Sequence, residues 1–452
     1  MSGPRTIEDA SGFRGSPASI HNPATIAELA AVLRDAARAH APVAIAGGLT
    51  GVTGGAIPGP DSCAAWMISL DRMAGLRVDG DTAIAGAGVS LETLHRAAAR
   101  AGLFYPPDPT EWTASVGGSI ATNASGSRSF LYGATRRWIR ALTVVMADGE
   151  IRRFERGHAV DFPVPRIPLP STTKNTAGYP LAPGMDWVDL IAGSEGTLAV
   201  VAEAELALLP APRDLITGVV FFDSEEGAIA AVDAWRGVEG LRMLEYMDRA
   251  SLDLVRARFE DTPQAGAALL YEQEADDDAV DAWVDRIDAA GASPDIAWLA
   301  ASQADRERFR HLRHALPEAV NDTVRRNGFL KLGSDYAAPV ARNREMFEAY
   351  RRRLKREFQG AYVLFGHVGD AHLHANILPR SQAEFDRGKE AMLDLAREAV
   401  AMGGTVSAEH GLGKRKRHLL ELQYLAGEIA AMRAVKTRLD PEWRLSPGNL
   451  FA

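Results

Sequence analysis

The sequence predicts an α+β fold in two domains, and three observations carry that prediction. First, 452 residues exceed what one ordinary hydrophobic core holds, so two or three domains are expected. Second, the first half is punctuated by glycine-rich stretches between short strands, whereas strands and helices alternate beyond Pro210 and Pro212. Third, an apolar and aromatic run at 361–366 turns back near Gly369-Asp370, as an antiparallel hairpin does. The boundary is therefore set after Pro210, giving domains over 1–210 and 211–452. A hydrophobic content of 46% with 24% charged residues is that of a soluble globular chain. The net charge of −9 argues against a nucleic-acid binder and gives no general attraction to anionic membranes. A single cysteine, Cys63, excludes an internal disulfide and fits a reducing compartment. No apolar run approaches a transmembrane span, and the start lacks the apolar core of a signal peptide, so a cytoplasmic location is expected.

Taken in order, 23–39 reads as a helix opened by Ala24-Thr25, with Ile26, Leu29, Ala30, Leu33 and Ala37 on one face. A short strand at 43–46 runs into GGLTGVTGGAIPG, six glycines in thirteen residues. Such a backbone can approach a ligand closely, and its free N–H groups can wrap an anion such as a pyrophosphate. A glycine-rich surface turn fits the same residues, since neither GxGxxG nor GxxxxGK[ST] is present. Strands follow at 67–70 and 83–88, and Ser90 caps a helix through 101. The stretch 106–139, rich in proline, glycine and small hydroxyl residues, is expected to be irregular and to hug a ligand; a plain connector is the alternative. A strand at 141–146 ends at Asp148-Gly149, and 163–170 is extended. KNTAGY at 174–179 precedes GSEGTL, after which 198–209 alternates as a long strand or hairpin.

In the second domain, strands are expected at 218–222, 241–247, 267–273 and 295–299, with helices at 226–235, 249–258 and 279–290. This pattern reads as an antiparallel sheet with helices on one face. A charged helix at 306–327 and an extended segment at 331–338 come next, and a long helix at 342–358 leads into the histidine hairpin. Helices at 385–402 and 427–439 precede a tail ending SPGNLFA.

The chemistry concentrates in FGHVGDAHLHANI, 365–377, and in AEHG, 408–411. Three histidines near a Glu-His pair have the composition of a first-row metal site. Side chains alternate along a strand, so His372, His374 and Asn376 share one face, and His367 ends the facing strand. Adjacent Glu409 and His410 would face opposite ways in a regular strand; reaching one site requires a turn, which Gly411 and Gly413 permit.

With these motifs in one order, the sequence resembles the flavoproteins grouped with vanillyl-alcohol oxidase and para-cresol methylhydroxylase. Within them it is similar to the D-lactate, glycolate and D-2-hydroxyglutarate dehydrogenases. The resemblance runs from about residue 20 to 448 and rests on PPDP, GGSIATNASG, YGATRRWI, GSEGTL, GHVGDAHLHANIL and SAEHGLG. It implies an N-terminal FAD-binding domain of the para-cresol methylhydroxylase type, built of two α+β subdomains. The antiparallel α+β C-terminal domain would cap the flavin and bind substrate and metal. By resemblance, Gly47, Gly48, Leu49, Thr50, Gly51, Gly54 and Gly55 bind the pyrophosphate. Pro107, Asp108, Gly117, Gly118, Thr122, Asn123, Ser125, Gly126, Glu195, Gly196 and Thr197 line the cofactor. With no histidine in the glycine loop and Cys63 in an ordinary loop, the FAD is expected to be non-covalent.

The resemblance also implies that His367, His374 and Glu409 bind a divalent ion, zinc first with manganese or iron as alternatives, and that His410 is the base. His372 stands where many members have Asn, so it is an additional ligand or a substrate contact, as is Asn376. Arg313 best matches the arginine that holds the substrate carboxylate, with Lys331 a weaker match. AGGLTG replaces the commoner RGGGT, and SPGN replaces NPGK. The implied activity is oxidation of a D-2-hydroxy acid to the 2-oxo acid: metal-assisted proton removal by His410, with hydride passing to flavin N5. Electrons would leave to a quinone, a cytochrome or an electron-transferring flavoprotein, and the chain is compatible with a homodimer. The rivals are a catalytically silent flavin-binding subunit of an oxidase complex and a metal-dependent hydrolase. The latter's expected HxHxDH arrangement is absent.

Overall fold

Three sheets organise the chain in the computed structural model, which describes residues 6–59, 64–275 and 279–451; Cys63 lies outside the described residues. The first is a parallel sheet in the order Ser19–His21, Trp66–Ser69, Val43–Ala46. Helix Ile26–Arg38 starts where Thr25 accepts a hydrogen bond from the Glu28 amide, and it buries Leu29, Ala30, Leu33 and Ala36. The second sheet is antiparallel, in the order Ile151–Glu155, Ile139–Val145, Val200–Ala207, Thr82–Gly86, Leu76–Asp79.

The third sheet has seven strands and contains the histidine hairpin. Its order is Trp298–Leu299, Leu215–Phe222, Ala267–Glu274, Leu241–Asp248, Tyr362–His367, His372–Ile377, Leu332–Gly333, every pair antiparallel. Helix Gln303–Arg326 buries Phe309, Leu312, Ala315, Leu316, Val320 and Val324 in a core shared with Val219, Leu270 and Val363 of this sheet. Pro317 sits inside that helix, an interruption tolerated because the buried stripe continues on both sides of it. No helix among the described residues is long and apolar enough to cross a membrane.

Several local expectations need correction. The 106–139 stretch is not uniformly irregular: helices form at Val116–Ala121 and Ser129–Tyr132, with a 3₁₀ turn at Thr135–Trp138. Poor helix propensity at Gly117-Gly118 hid the first helix. Ser115 caps it by accepting from the Gly118 amide at 3.1 Å. A Cβ at Gly117 would come within 2.7 Å of Ala87 Cβ, so close packing requires glycine there. The hairpin turns through a 3₁₀ segment, Val368–Asp370, and the left-handed residue is Ala371 (φ 52°) rather than a glycine. Residues 294–296 form a 3₁₀ turn, which shortens the expected strand to Trp298–Leu299.

Candidate active site

The hairpin register places the histidines. His367 pairs with His372, and Phe365 with His374. Gly366 takes φ 127°, and a Cβ there would lie 2.8 Å from His374 Cδ2, so glycine leaves room for that ring. The ring centres lie 5.4 Å (367–372), 5.5 Å (367–374) and 4.4 Å (372–374) apart. Ligand atoms of His367, His372, His374 and Glu409 all fall within 4.8 Å of one another. His367 Nε2 and His374 Nε2 are each 3.3 Å from Glu409 Oε1.

The outer nitrogens are anchored. His367 Nδ1 is 2.6 Å from Glu245 Oε1, and His374 Nδ1 is 3.1 Å from the Ser334 carbonyl. Burial, the largest influence, would lower His367, but the Glu245 and Glu409 carboxylates together outweigh it and raise the imidazole above its ordinary value. Glu245 in turn accepts from Arg313 Nε at 2.9 Å; burial opposes its charge, but Arg313 and His367 hold its carboxyl well below the carboxylate range. His372 is fully buried: Nε2 lies 3.2 Å from Asp335 Oδ1 but outside hydrogen-bond geometry, and neither ring nitrogen has a hydrogen-bond partner.

Glu409 and His410 lie outside regular structure, on a segment that Gly411 (φ 72°) and Gly413 (φ 50°) let turn. Asp335 holds it from one side, accepting from the His410 amide at 3.0 Å and from Ser407 Oγ at 2.8 Å. Glu195 holds it from the other, its two oxygens accepting from the Leu412 and Gly413 amides at 2.7 Å each. The Thr53 carbonyl accepts from the Lys414 and Arg415 amides, both at 3.0 Å, and a Cβ on Gly413 would sit 2.3 Å from that oxygen. His410 Nδ1 is 3.4 Å from Asp335 Oδ1 and its Nε2 is 3.6 Å from Glu409 Oε1. A third of its side chain is accessible, and that third opens into a cavity; desolvation pushes the imidazole down to about 4, so it is neutral at pH 7.

Lys174, from KNTAGY, is the buried counter-charge. Its ammonium lies 3.3 Å from Glu409 Oε2, 3.4 Å from Asp370 Oδ2 and 3.1 Å from the Gly126 carbonyl. Burial works against Glu409's charge, yet Lys174, followed by His367, holds its carboxyl well below the usual range.

The cavity joins this cluster to the glycine-rich stretches. It encloses about 1470 Å³ of empty space, open mouth included. Of the sequence-predicted cofactor residues, Gly47, Gly48, Leu49, Thr50, Gly51, Gly55, Gly117, Gly118, Thr122, Ser125, Gly126, Glu195 and Gly196 line it, together with Glu409, His410 and Asn449. Among the described residues, the amides of Gly48, Leu49, Thr50 and Gly51 donate to no protein acceptor. A Cβ on Gly51 would meet nothing within 4 Å. Undonated N–H groups on open space are what a pyrophosphate needs, so these residues fit FAD.

Five predicted residues fall outside the wall. Gly54 packs on Phe13, and Pro107 does not reach the cavity. Asp108 pairs with Arg128 at 3.1 Å and accepts from Trp112 Nε1. Asn123 accepts from the Arg136 amide at 2.8 Å, and Thr197 bonds to the Tyr179 hydroxyl. Arg313 stands behind the cavity wall and donates through Nη1 to Thr110, a cavity residue, so with Nε on Glu245 two of its three guanidinium nitrogens are engaged. Lys331 is exposed and lines neither cavity nor cluster. Asn376 is outside the cluster, its amide bonded to the His374 carbonyl. In SPGN, Asn449 donates to the Gly55 and Glu195 carbonyls, and Lys414 Nζ reaches Asn449 Oδ1 at 2.7 Å. Sequence reasoning missed Glu245, Asp335, Lys174 and Asn449. The available signal for the first was a charged residue inside an apolar strand, LRMLEYMD.

Comparison with known proteins adds a family. Residues 211–450 match the FAD linked oxidases, C-terminal domain, and residues 17–155 match the FAD binding domain. The chain is 33% identical to a D-lactate dehydrogenase of Archaeoglobus fulgidus, over 95% of this chain and 90% of the relative. It is 31% identical to a D-2-hydroxyglutarate dehydrogenase of Xanthomonas citri (96% and 89% covered) and 28% identical to the glycolate oxidase subunit GlcD of Bacillus subtilis (100% and 95%). A solved alkyldihydroxyacetonephosphate synthase superposes with a TM-score of 0.65 at 17% identity, over 95% of this chain and 76% of that one, a likeness of fold alone.

Proposed function

The chain belongs to the FAD-linked oxidases, and from that premise we propose that it oxidises a D-2-hydroxy acid to the 2-oxo acid, with D-lactate, glycolate and D-2-hydroxyglutarate as the candidate substrates. One observation carries the reading: the open amides of the glycine loop and the side chains of Glu409 and His410 wall one cavity. A dehydrogenase of this class needs its hydride acceptor at the substrate α-carbon and its proton acceptor at the hydroxyl on that carbon, and a shared cavity supports that.

Bound non-covalently, FAD would supply the two-electron acceptor. His367, His374 and Glu409 are the residues that would hold a divalent ion, zinc first, whose Lewis acidity lowers the pKa of a substrate hydroxyl. The donor set fits: two imidazoles with anchored outer nitrogens and one carboxylate are borderline ligands for such an ion.

In this reading the protein's own groups divide the work. His410, neutral at working pH and opening into the cavity, accepts the hydroxyl proton at one ring nitrogen. Asp335 fixes the segment that carries it through the His410 amide. Arg313 keeps one guanidinium nitrogen for the substrate carboxylate while Glu245 and Thr110 fix the others. Lys174 neutralises Glu409 from the side away from the histidines, through the other carboxylate oxygen.

The test is an anaerobic screen of D-lactate, glycolate, D-2-hydroxyglutarate and D-malate, with the L enantiomer of each chiral acid. Flavin absorbance should bleach with at least one D acid or glycolate and not with the L forms. Flavin that stays oxidised with every acid, or bleaches equally with both enantiomers, refutes the proposal. A dye, a quinone and an electron-transferring flavoprotein, compared as reoxidants, then identify the acceptor class.

A further inference from the structure

We propose that His372 is a third imidazole ligand, so that the ion is held by His367, His372, His374 and Glu409. The proposal rests on the metal reading above and extends it to a residue that reading leaves unused.

Three observations support it. The first is burial without a partner. His372 has no exposed surface, and neither ring nitrogen has a hydrogen-bond partner. A buried polar group in that state costs free energy unless something unseen in the protein satisfies it. The second is the pattern shared by the three rings. His367 and His374 each give an outer nitrogen to an oxygen, Glu245 and the Ser334 carbonyl, and turn Nε2 toward Glu409. His372 repeats the plan, with Nε2 3.2 Å from Asp335 Oδ1 and Nδ1 left free. An imidazole with one nitrogen beside a carboxylate and the other unclaimed is the arrangement of metal-bound histidine. The third is spacing. With nitrogens about 2.1 Å from one ion, two imidazole ring centres lie roughly 4.5–5.2 Å apart. The ring centres here, 4.4, 5.4 and 5.5 Å apart, lie just outside that span on both sides, by no more than about 0.3 Å, so small ring shifts bring all three onto one ion, and the four ligand atoms lie within 4.8 Å of one another.

The consequence concerns coordination number. Four protein donors would fill a tetrahedral site, so the ion, zinc included, could take a substrate only by expanding its coordination, and at six it would have two positions left. Two is the number that a hydroxyl and a carboxylate oxygen of one substrate molecule require.

X-ray absorption at the metal edge of the zinc- or cobalt-loaded holoenzyme counts imidazoles without any mutation. Three are expected; two overturn the proposal and leave the metal reading intact. Zinc affinity of His372→Asn, measured by chelator competition with flavin content as the check on folding, should fall by more than about 100-fold, beyond the roughly 10–100-fold cost of losing an outer-shell partner. An unchanged affinity in a flavin-replete His372→Asn or His372→Gln protein overturns the proposal. If neither variant retains flavin, the imidazole count on the unmodified enzyme decides. Wild-type protein that takes up neither zinc nor cobalt overturns the metal reading itself, and this proposal with it.

Discussion

Replacing Lys174 with Met should destabilise the protein, and by an amount that depends on whether metal is present. The Lys174 side chain is 1% exposed, and its ammonium faces two carboxylates, Glu409 at 3.3 Å and Asp370 at 3.4 Å. At an effective dielectric of about 20, one such contact is worth about 5 kcal/mol before desolvation. Removing one partner of a buried pair costs roughly 3–5 kcal/mol, because the remaining charge is left uncompensated. Here two acids lose their cation. In metal-free protein the full cost applies; with zinc bound, the ion compensates Glu409 and only Asp370 is stranded, so the deficit should shrink by about half. At roughly 2.1 cal/mol/K per residue, cooperative unfolding of 452 residues converts 3–5 kcal/mol into about 3–5 °C of Tm. Calorimetry with and without zinc measures it, using Arg344→Ala as control. Arg344 and Asp233 form an exposed pair 2.7 Å apart, worth at most about 1 kcal/mol. A metal-free Lys174→Met protein no less stable than the control, or a deficit indifferent to zinc, refutes the reasoning.

His410→Ala should retain flavin and metal while the anaerobic flavin-reduction rate falls roughly 100- to 10,000-fold; loss of the metal, by elemental analysis, would make His410 a ligand instead. Acid precipitation should release the yellow chromophore into the supernatant, and colour in the pellet would demonstrate a covalent link. Burial pushes the Glu195 carboxyl up to about 7 from 4.5, against the Leu412 and Gly413 amides that favour its charge. The folded state therefore keeps a proton that the unfolded chain loses. The stability this contributes is full below about pH 4.5 and is lost as pH rises through 7. Glu195→Gln removes that dependence, so the wild-type advantage over the variant should fall by on the order of 3 kcal/mol between pH 4.5 and 7.5. Chemical unfolding across that range checks it, and a constant or widening difference contradicts it.

The legible part of the site was the part written in local periodicity. His367, His372 and His374 sit on two strands joined by one short turn, so a period of two was enough to bring them together. Glu409 and His410 were legible as chemistry, and Gly411 and Gly413 as permission to turn, but what pins that turn was not. Asp335, Glu195 and Thr53 are 75, 218 and 360 or so residues of chain away from the amides they hold, and no local pattern encodes such pairings. Lys174 shows the same limit. A lysine in a polar-looking KNTAGY reads as a surface residue until the fold closes Asp370 and Glu409 around it. The helix at Val116–Ala121 was hidden for a different reason: its glycines are there for the Ala87 contact, and they erase the propensity signal.

The contact between Asn449 and Gly55 spans 394 residues of chain. A nascent polypeptide emerging N-terminus first has its glycine loop long before the residues that brace that loop are made. On this geometry the binding chamber closes only after residue 449 has been made. The flavin then acts as a late quality check: chains truncated before residue 449 should accumulate colourless, and flavin occupancy reports chains made past that residue.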